Sequence, residues 1–221
     1  MTTKPALQAA LFDMDGVLVD NAAYHQQAWG AFAHRLGRSL GPDDYMLHIN
    51  GRVAAAALTY LLGRDPQPAE VQQCIDEADG LYRELYRPHL APTPGLMAFL
   101  DYLQRRSVQM AVGTSAPAIN VAFTLDGLGI RSYFSVVVDA TMVSRGKPDP
   151  MVYLTAAERL GVDPAYCVVF EDALSGIEAG RRAGMAVIAL ATTHTPAQLA
   201  DSGAALIIPD FTDDRLIPWL A

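Results

Sequence analysis

Six short apolar runs mark the chain: Ala9–Phe12, Val108–Gly113, Val136–Val138, Cys167–Phe170, Ala186–Leu190 and Ala205–Ile208. They show little alternation of apolar and polar residues, as expected of strands covered on both faces. Between the later runs the apolar residues take helical spacing. In PGLMAFLDYLQRR, Leu96, Phe99, Leu100 and Leu103 share one face. DPMVYLTAAERLG carries Pro150 near its first turn and Gly161 at its end, as helices do. Strand–helix alternation of this kind predicts an α/β fold with a doubly wound parallel sheet, a Rossmann-like core.

One segment departs from that rhythm. From Asn21 to about Pro92 the pattern is helical, without a convincing strand. Asn21 is placed to cap a first helix and Gly37 to end it. Val71, Ile75, Ala78, Tyr82 and Leu85 make a stripe on a later helix. The expected organisation is a core of residues 1–20 and 93–221, with an all-helical cap domain, 21–92, inserted after the first strand. APTPG, Ala91 to Gly95, suits a stiff return. An insertion there lies beside the carboxyl end of a strand, where open α/β sheets bind ligands, and is a candidate lid.

Composition narrows the class. The chain has 221 residues, 51% hydrophobic and 18% charged, enough for a full core. A net charge of −8 argues against general nucleic-acid binding and against docking on anionic membranes. Cys74 and Cys167 lie far apart, so a disulfide framework and a zinc site are not expected, and both read as small buried hydrophobes. The opening MTTKPALQ has no secretory pattern and no apolar run reaches membrane-spanning length. The expectation is a soluble, cytoplasmic monomer.

The chemistry gathers where the strand-like runs end. AALFDMDGVLVD opens from an apolar run onto Asp13, Asp15 and Gly16. Such residues can simply make a turn, but carboxylates at i and i+2 of extended chain point the same way and repel. A bound metal relieves that repulsion. MAVGTSAP ends on Thr114 and Ser115 before a helix starting near Pro117, which is either a plain cap or an anion site. SRGKPDP restrains Lys147 between Gly146 and Pro148, as a solvated loop lysine or as a point charge for a phosphoryl oxygen. CVVFEDALSGIEAGRRAG ends its run on Glu171 and Asp172, an acidic helix start or a pair of hard ligands for Mg²⁺.

Taken together, carboxylates, hydroxyl, lysine and carboxylates at successive strand ends are what phosphoryl transfer requires. In this order, DMDGVLVD, Thr114, GKPDP and EDALSGIEAGRRAGM resemble the haloacid dehalogenase-like superfamily of phosphotransferases, over about residues 8 to 210. The helical insertion resembles the cap of its β-phosphoglucomutase-like branch. The resemblance implies Asp13 as nucleophile, forming an aspartyl-phosphate, and Asp15 as general acid–base. It implies Mg²⁺ as cofactor, held by Asp13, the backbone carbonyl of Asp15 and Asp172 with Glu171 nearby, and phosphoryl oxygens held by Thr114, Ser115 and Lys147. His25, on the first cap helix, matches a histidine that couples cap closure to the acid–base aspartate; a plain surface histidine reads equally well. Asp15 argues against halide displacement, which needs no acid there.

The departures from the family bear on substrate. Mutases of this branch carry a lysine and an arginine in the cap's recognition segment. Here that segment is HINGRVAAAA, with Asn50 and Ala54 at the matching positions and Arg52 close by. The expected activity is a phosphatase acting on a small phosphorylated metabolite, for instance a sugar phosphate. A β-phosphoglucomutase-type isomerase is the alternative. A non-catalytic phosphate-binding module is the third reading, and such a module has no use for Asp15.

Overall fold

The computed structural model describes residues 7–50 and 54–220. The chain divides into two compact units: Asn21–His89, and the flanking chain that ends at Asp20 and resumes at Leu90. The inserted unit is helical, with α1 (Ala22–Arg35), α2 (Pro42–His48), α3 (Ala54–Leu62) and α4 (Pro68–Tyr86). Gly37 follows α1 with φ of 71°, the left-handed conformation expected of a helix stop. Asn21 does not cap α1 with its side chain; its amide donates to the buried Tyr82 hydroxyl at 2.7 Å. That bond across the unit outcompetes the local cap, because an unpartnered buried phenol is costly. On α4 the buried residues are Cys74, Ala78, Tyr82 and Tyr86. The predicted stripe therefore turns slightly, and Val71, Ile75 and Leu85 form its half-buried edge. Phe32, Leu58, Leu61 and Ala78 share this unit's core.

In the other unit the six apolar runs become β1 (Ala9–Phe12), β2 (Gln109–Gly113), β3 (Val136–Val138), β4 (Cys167–Glu171), β5 (Ala186–Leu190) and β6 (Leu206–Ile208). All pair in parallel, in the order β3-β2-β1-β4-β5-β6. Its helices are α5 (Leu96–Arg105), α6 (Ala118–Gly127), α7 (Met151–Leu160), α8 (Leu174–Arg182), α9 (Pro196–Leu199) and α10 (Leu216–Leu220). Both faces of β1 are covered. Ala10 and Phe12 face one core with Phe99, Leu100 and Phe170; Ala9 and Leu11 face another with Tyr153, Ala156 and Ile177. Double coverage is why the strands read as continuous apolar runs. Phe12 stacks on Phe170 across the β1–β4 pair, with ring centroids 4.8 Å apart, and Phe99 meets both rings edge-on. Each such ring contributes about 1.5–3 kcal/mol by burial. Cys74 and Cys167 are buried free thiols.

The returning chain is tied to the turn after β1. Thr93 donates its amide to Leu18 O at 3.0 Å and its hydroxyl to Val17 O at 2.7 Å. Gly95 then adopts φ of 79°, and a Cβ there would lie 2.7 Å from the Phe211 backbone. Among the described residues no helix is long and apolar enough to cross a membrane. In this strand order the chain switches direction of travel between β1 and β4, so the crevice beyond their carboxyl ends is where a ligand is expected.

Candidate active site

Asp13 extends β1 by one bond, donating its amide to Phe170 O at 2.9 Å, and its side chain is buried. The next residues turn sharply. Met14 O accepts the amides of Val17, Leu18 and Val19, and Asp15 bridges to Val19. Gly16 is required twice over. Its φ is 77°, and a Cβ there would sit 2.0 Å from Asp172 Oδ2. The glycine behind the second aspartate thus lets the first loop approach the carboxylate that follows β4.

Lys147, from the β3–α7 connection, reaches both loops. Its Nζ donates to Asp13 Oδ1 at 2.8 Å and to Glu171 Oε1 at 2.6 Å. Glu171 is fully buried and saturated: Oε1 also accepts the Tyr153 hydroxyl at 2.8 Å, and Oε2 accepts the amides of Asp172 and Ala173 at 2.9 and 3.0 Å. Room for it comes from Gly176 on α8, where a Cβ would fall 1.7 Å from Oε1. The β5–α9 loop closes the far side. Thr192 donates to Gly16 O at 2.6 Å, and His194 Nδ1 lies 3.1 Å from Asp172 O.

The electrostatics follow from burial. The Asp13 carboxyl is raised to about 7, chiefly by loss of solvent, against the pull of the Lys147 ammonium and with the charges of Glu171 and Asp15 adding to the rise. Burial, with the charges of Glu171 and Asp13, holds the Asp172 carboxyl well above its usual range. For Lys147 burial acts to lower the value, but Asp13 and Glu171 outweigh it and keep the ammonium charged. Three buried carboxylates, from Asp13, Glu171 and Asp172, offer oxygens within 4.8 Å of one another, and the Lys147 ammonium pairs with the first two. The unbalanced negative charge and hard oxygen donors suit a divalent cation.

The structure therefore joins Asp13, Lys147, Glu171 and Asp172, with Asp15 on the same loop as Asp13. Thr114 is buried at the end of the neighbouring β2, donating its amide to Val138 O at 2.9 Å. Its hydroxyl accepts the Ala116 amide at 3.1 Å, so it also makes a local turn, and Ser115 beside it is exposed. His25 and Asn50 belong to the helical unit. The His25 ring lies flat on Tyr82, centroids 3.9 Å apart, with Nε2 3.4 Å from the Asn21 amide nitrogen. Asn50 donates its backbone amide to Tyr45 O at 2.8 Å. Arg52 lies outside the described residues. Sequence reading missed Tyr153, Gly176, Thr192 and His194. A phenol on the core-facing side of α7 and a glycine just inside α8 were the available signals; the threonine–histidine loop offered none.

Comparison with known proteins agrees with this geometry. The family model for haloacid dehalogenase-like hydrolases matches residues 7–184. Validoxylamine A 7′-phosphate phosphatase of Streptomyces hygroscopicus subsp. limoneus is 35% identical over 210 residues, covering 94% of this chain and 96% of that protein. β-Phosphoglucomutase of Bacillus subtilis (strain 168) is 32% identical over 186 residues, 81% of each chain. A family IA, variant 3 hydrolase from Entamoeba histolytica superposes with a TM-score of 0.90 at 26% identity, covering 97% of this chain and 99% of that one.

Proposed function

The chain belongs to the haloacid dehalogenase-like hydrolase family, and we propose that it is a Mg²⁺-dependent phosphatase of small phosphorylated metabolites, sugar phosphates among them, working through a phosphorylated Asp13. The observation that carries this reading is the Lys147 ammonium held between Asp13 and Glu171, with Asp172 alongside.

An Asp13 carboxylate oxygen attacks phosphorus in line, and the ester P–O bond breaks as the new P–O bond forms. Asp15 gives its proton to the departing alkoxide oxygen. It then takes a proton from the water whose oxygen attacks the phosphorylated Asp13, which frees inorganic phosphate and restores the carboxylate. Lys147 and the hydroxyl groups of Thr114 and Ser115 hold phosphoryl oxygens and offset their charge. Asp13, Asp172 and the Asp15 carbonyl would hold Mg²⁺, with Glu171 beside them adding negative charge while its own oxygens are taken by Lys147, Tyr153 and two amides. When bound, the ion would supply positive charge that keeps the carboxylates ionised and screens the repulsion between the anionic phosphoryl group and the Asp13 carboxylate.

The helical unit is inserted directly after the Asp15 loop, which supports reading it as a cap domain, with His25 as the residue to couple its closure to Asp15. A mutase must hold a second phosphate with cap cations. The neutral Asn50 favours water as the acceptor, although the mutase relative keeps the isomerase as the second reading. The test is phosphate release from a panel of sugar monophosphates with Mg²⁺ and with chelator. Metal-dependent release supports the proposal; full activity in chelator, or none on any phosphomonoester, contradicts it.

A further inference from the structure

We infer that Tyr153 is a positioning residue for this reaction, setting through Glu171 where Lys147 stands; the inference rests on the phosphatase reading above. The Tyr153 side chain is fully buried, in the core shared by α7 and the sheet. Its ring packs close over Gly113, where an added Cβ would lie 3.1 Å from it. Its hydroxyl donates to Glu171 Oε1 at 2.8 Å, the same oxygen that accepts Lys147 at 2.6 Å. The ammonium also lies 5.0 Å from the centroid of the Tyr153 ring.

The consequence is a partition. Lys147 is shared between Asp13 and Glu171. A carboxylate oxygen satisfied by a second donor pulls less on the first, so the phenol tempers the attraction of Glu171 for the ammonium. Lys147 thereby stays within reach of Asp13 and of a phosphoryl oxygen bound there. Without the hydroxyl, Oε1 is left half-satisfied in a buried place and draws Lys147 away from Asp13. Tyr153 touches no reacting atom in this scheme. Its effect passes entirely through the lysine.

Tyr153→Phe keeps the ring and removes only the donor, and inorganic phosphate is a probe that needs no turnover. With Mg²⁺ present, calorimetry of Tyr153→Phe should show phosphate bound about tenfold more weakly than by the wild type, the worth of one charge-assisted hydrogen bond. KM for a sugar monophosphate should rise in parallel, with the melting temperature little changed. In a Lys147→Ala background, adding Tyr153→Phe should change phosphate affinity by less than about twofold. A lower melting temperature with unchanged phosphate affinity would make Tyr153 a structural residue only. A full tenfold loss in the Lys147→Ala background would show that it does not act through the lysine. Wild-type protein that neither binds phosphate nor hydrolyses phosphomonoesters would overturn the phosphatase reading and this inference with it. Normal wild-type binding with an unaffected Tyr153→Phe would overturn the inference alone.

Discussion

Gly176 shows how narrowly single residues are constrained at this site. A Cβ there would lie 1.7 Å from Glu171 Oε1, inside the network that holds Lys147. Gly176→Ala should therefore displace Glu171, cost about 1–3 kcal/mol of stability as overpacking does, and lower turnover at least about tenfold. Gly30, midway along α1, makes the opposite case, because nothing lies within 4 Å of a Cβ built there. Gly30→Ala should raise stability by about 0.5–1 kcal/mol through helix propensity. Urea midpoints with a phosphatase assay check both; equal effects at the two positions would contradict the packing described. The sequence identified Asp13, Lys147, Glu171 and Asp172 because each stands where an apolar run stops or where glycine and proline hold the chain. Tyr153 was hidden, because a tyrosine at a core spacing looks like packing until its hydroxyl finds Glu171. Asn21 misled for a related reason: its local capping role is overridden by Tyr82, sixty-one residues away.

Strands and the loops that follow them carry the next level of constraint. Neighbouring parallel strands deliver Thr114, Asp13 and the Glu171–Asp172 pair, and the β5–α9 loop adds Thr192 and His194. All six strands were legible, because burial on both faces leaves an apolar run that a helix stripe does not imitate. The loop contacts were not, since they depend on which strand ends lie side by side. Bringing buried carboxylates to adjacent strand ends has a cost that pH exposes. The Asp13 carboxyl is raised to about 7 by burial, and Asp172 is raised in the same sense. The metal-free native state thus binds protons that the unfolded chain releases near 3.8. The stability these groups contribute is full below that value and is lost as pH rises through about 7. In chelator, the melting temperature should be lower at pH 8 than at pH 6. Saturating Mg²⁺ should raise it more at pH 8, by about 2.7 kcal/mol of stability at a hundred times the dissociation constant. Scanning calorimetry at the two pH values checks this; a metal-free protein that gains stability from pH 6 to 8 would contradict the buried-carboxylate account.

The molecule as a whole joins an α/β unit to a helical insertion, and in the proposed reading the insertion is where the choice of acceptor is made. Both a phosphatase and a mutase would phosphorylate Asp13; they differ in whether water or a sugar hydroxyl takes the phosphoryl group. Asn50 and Ala54 offer no charge for a distal phosphate. Losing such a contact costs about 1.5–3 kcal/mol, roughly ten- to a hundredfold in affinity. With β-glucose 1-phosphate, Mg²⁺ and a bisphosphate primer, ³¹P NMR should show inorganic phosphate and no glucose 6-phosphate. Faster build-up of glucose 6-phosphate would make this a mutase. The two-unit architecture was readable in the break of strand–helix alternation after Asp20. The acceptor was not, because in the proposed reading it turns on a few cap residues that no periodicity marks. The claim on which everything else depends is that Asp13 carries the phosphoryl group. Its most direct test is acid quenching during turnover, with mass spectrometry of the peptide containing residue 13, in wild type and Asp13→Asn. The wild type should yield phosphorylated Asp13, while Asp13→Asn should yield none and release phosphate only at background. A substantial fraction of wild-type turnover in Asp13→Asn would contradict the mechanism.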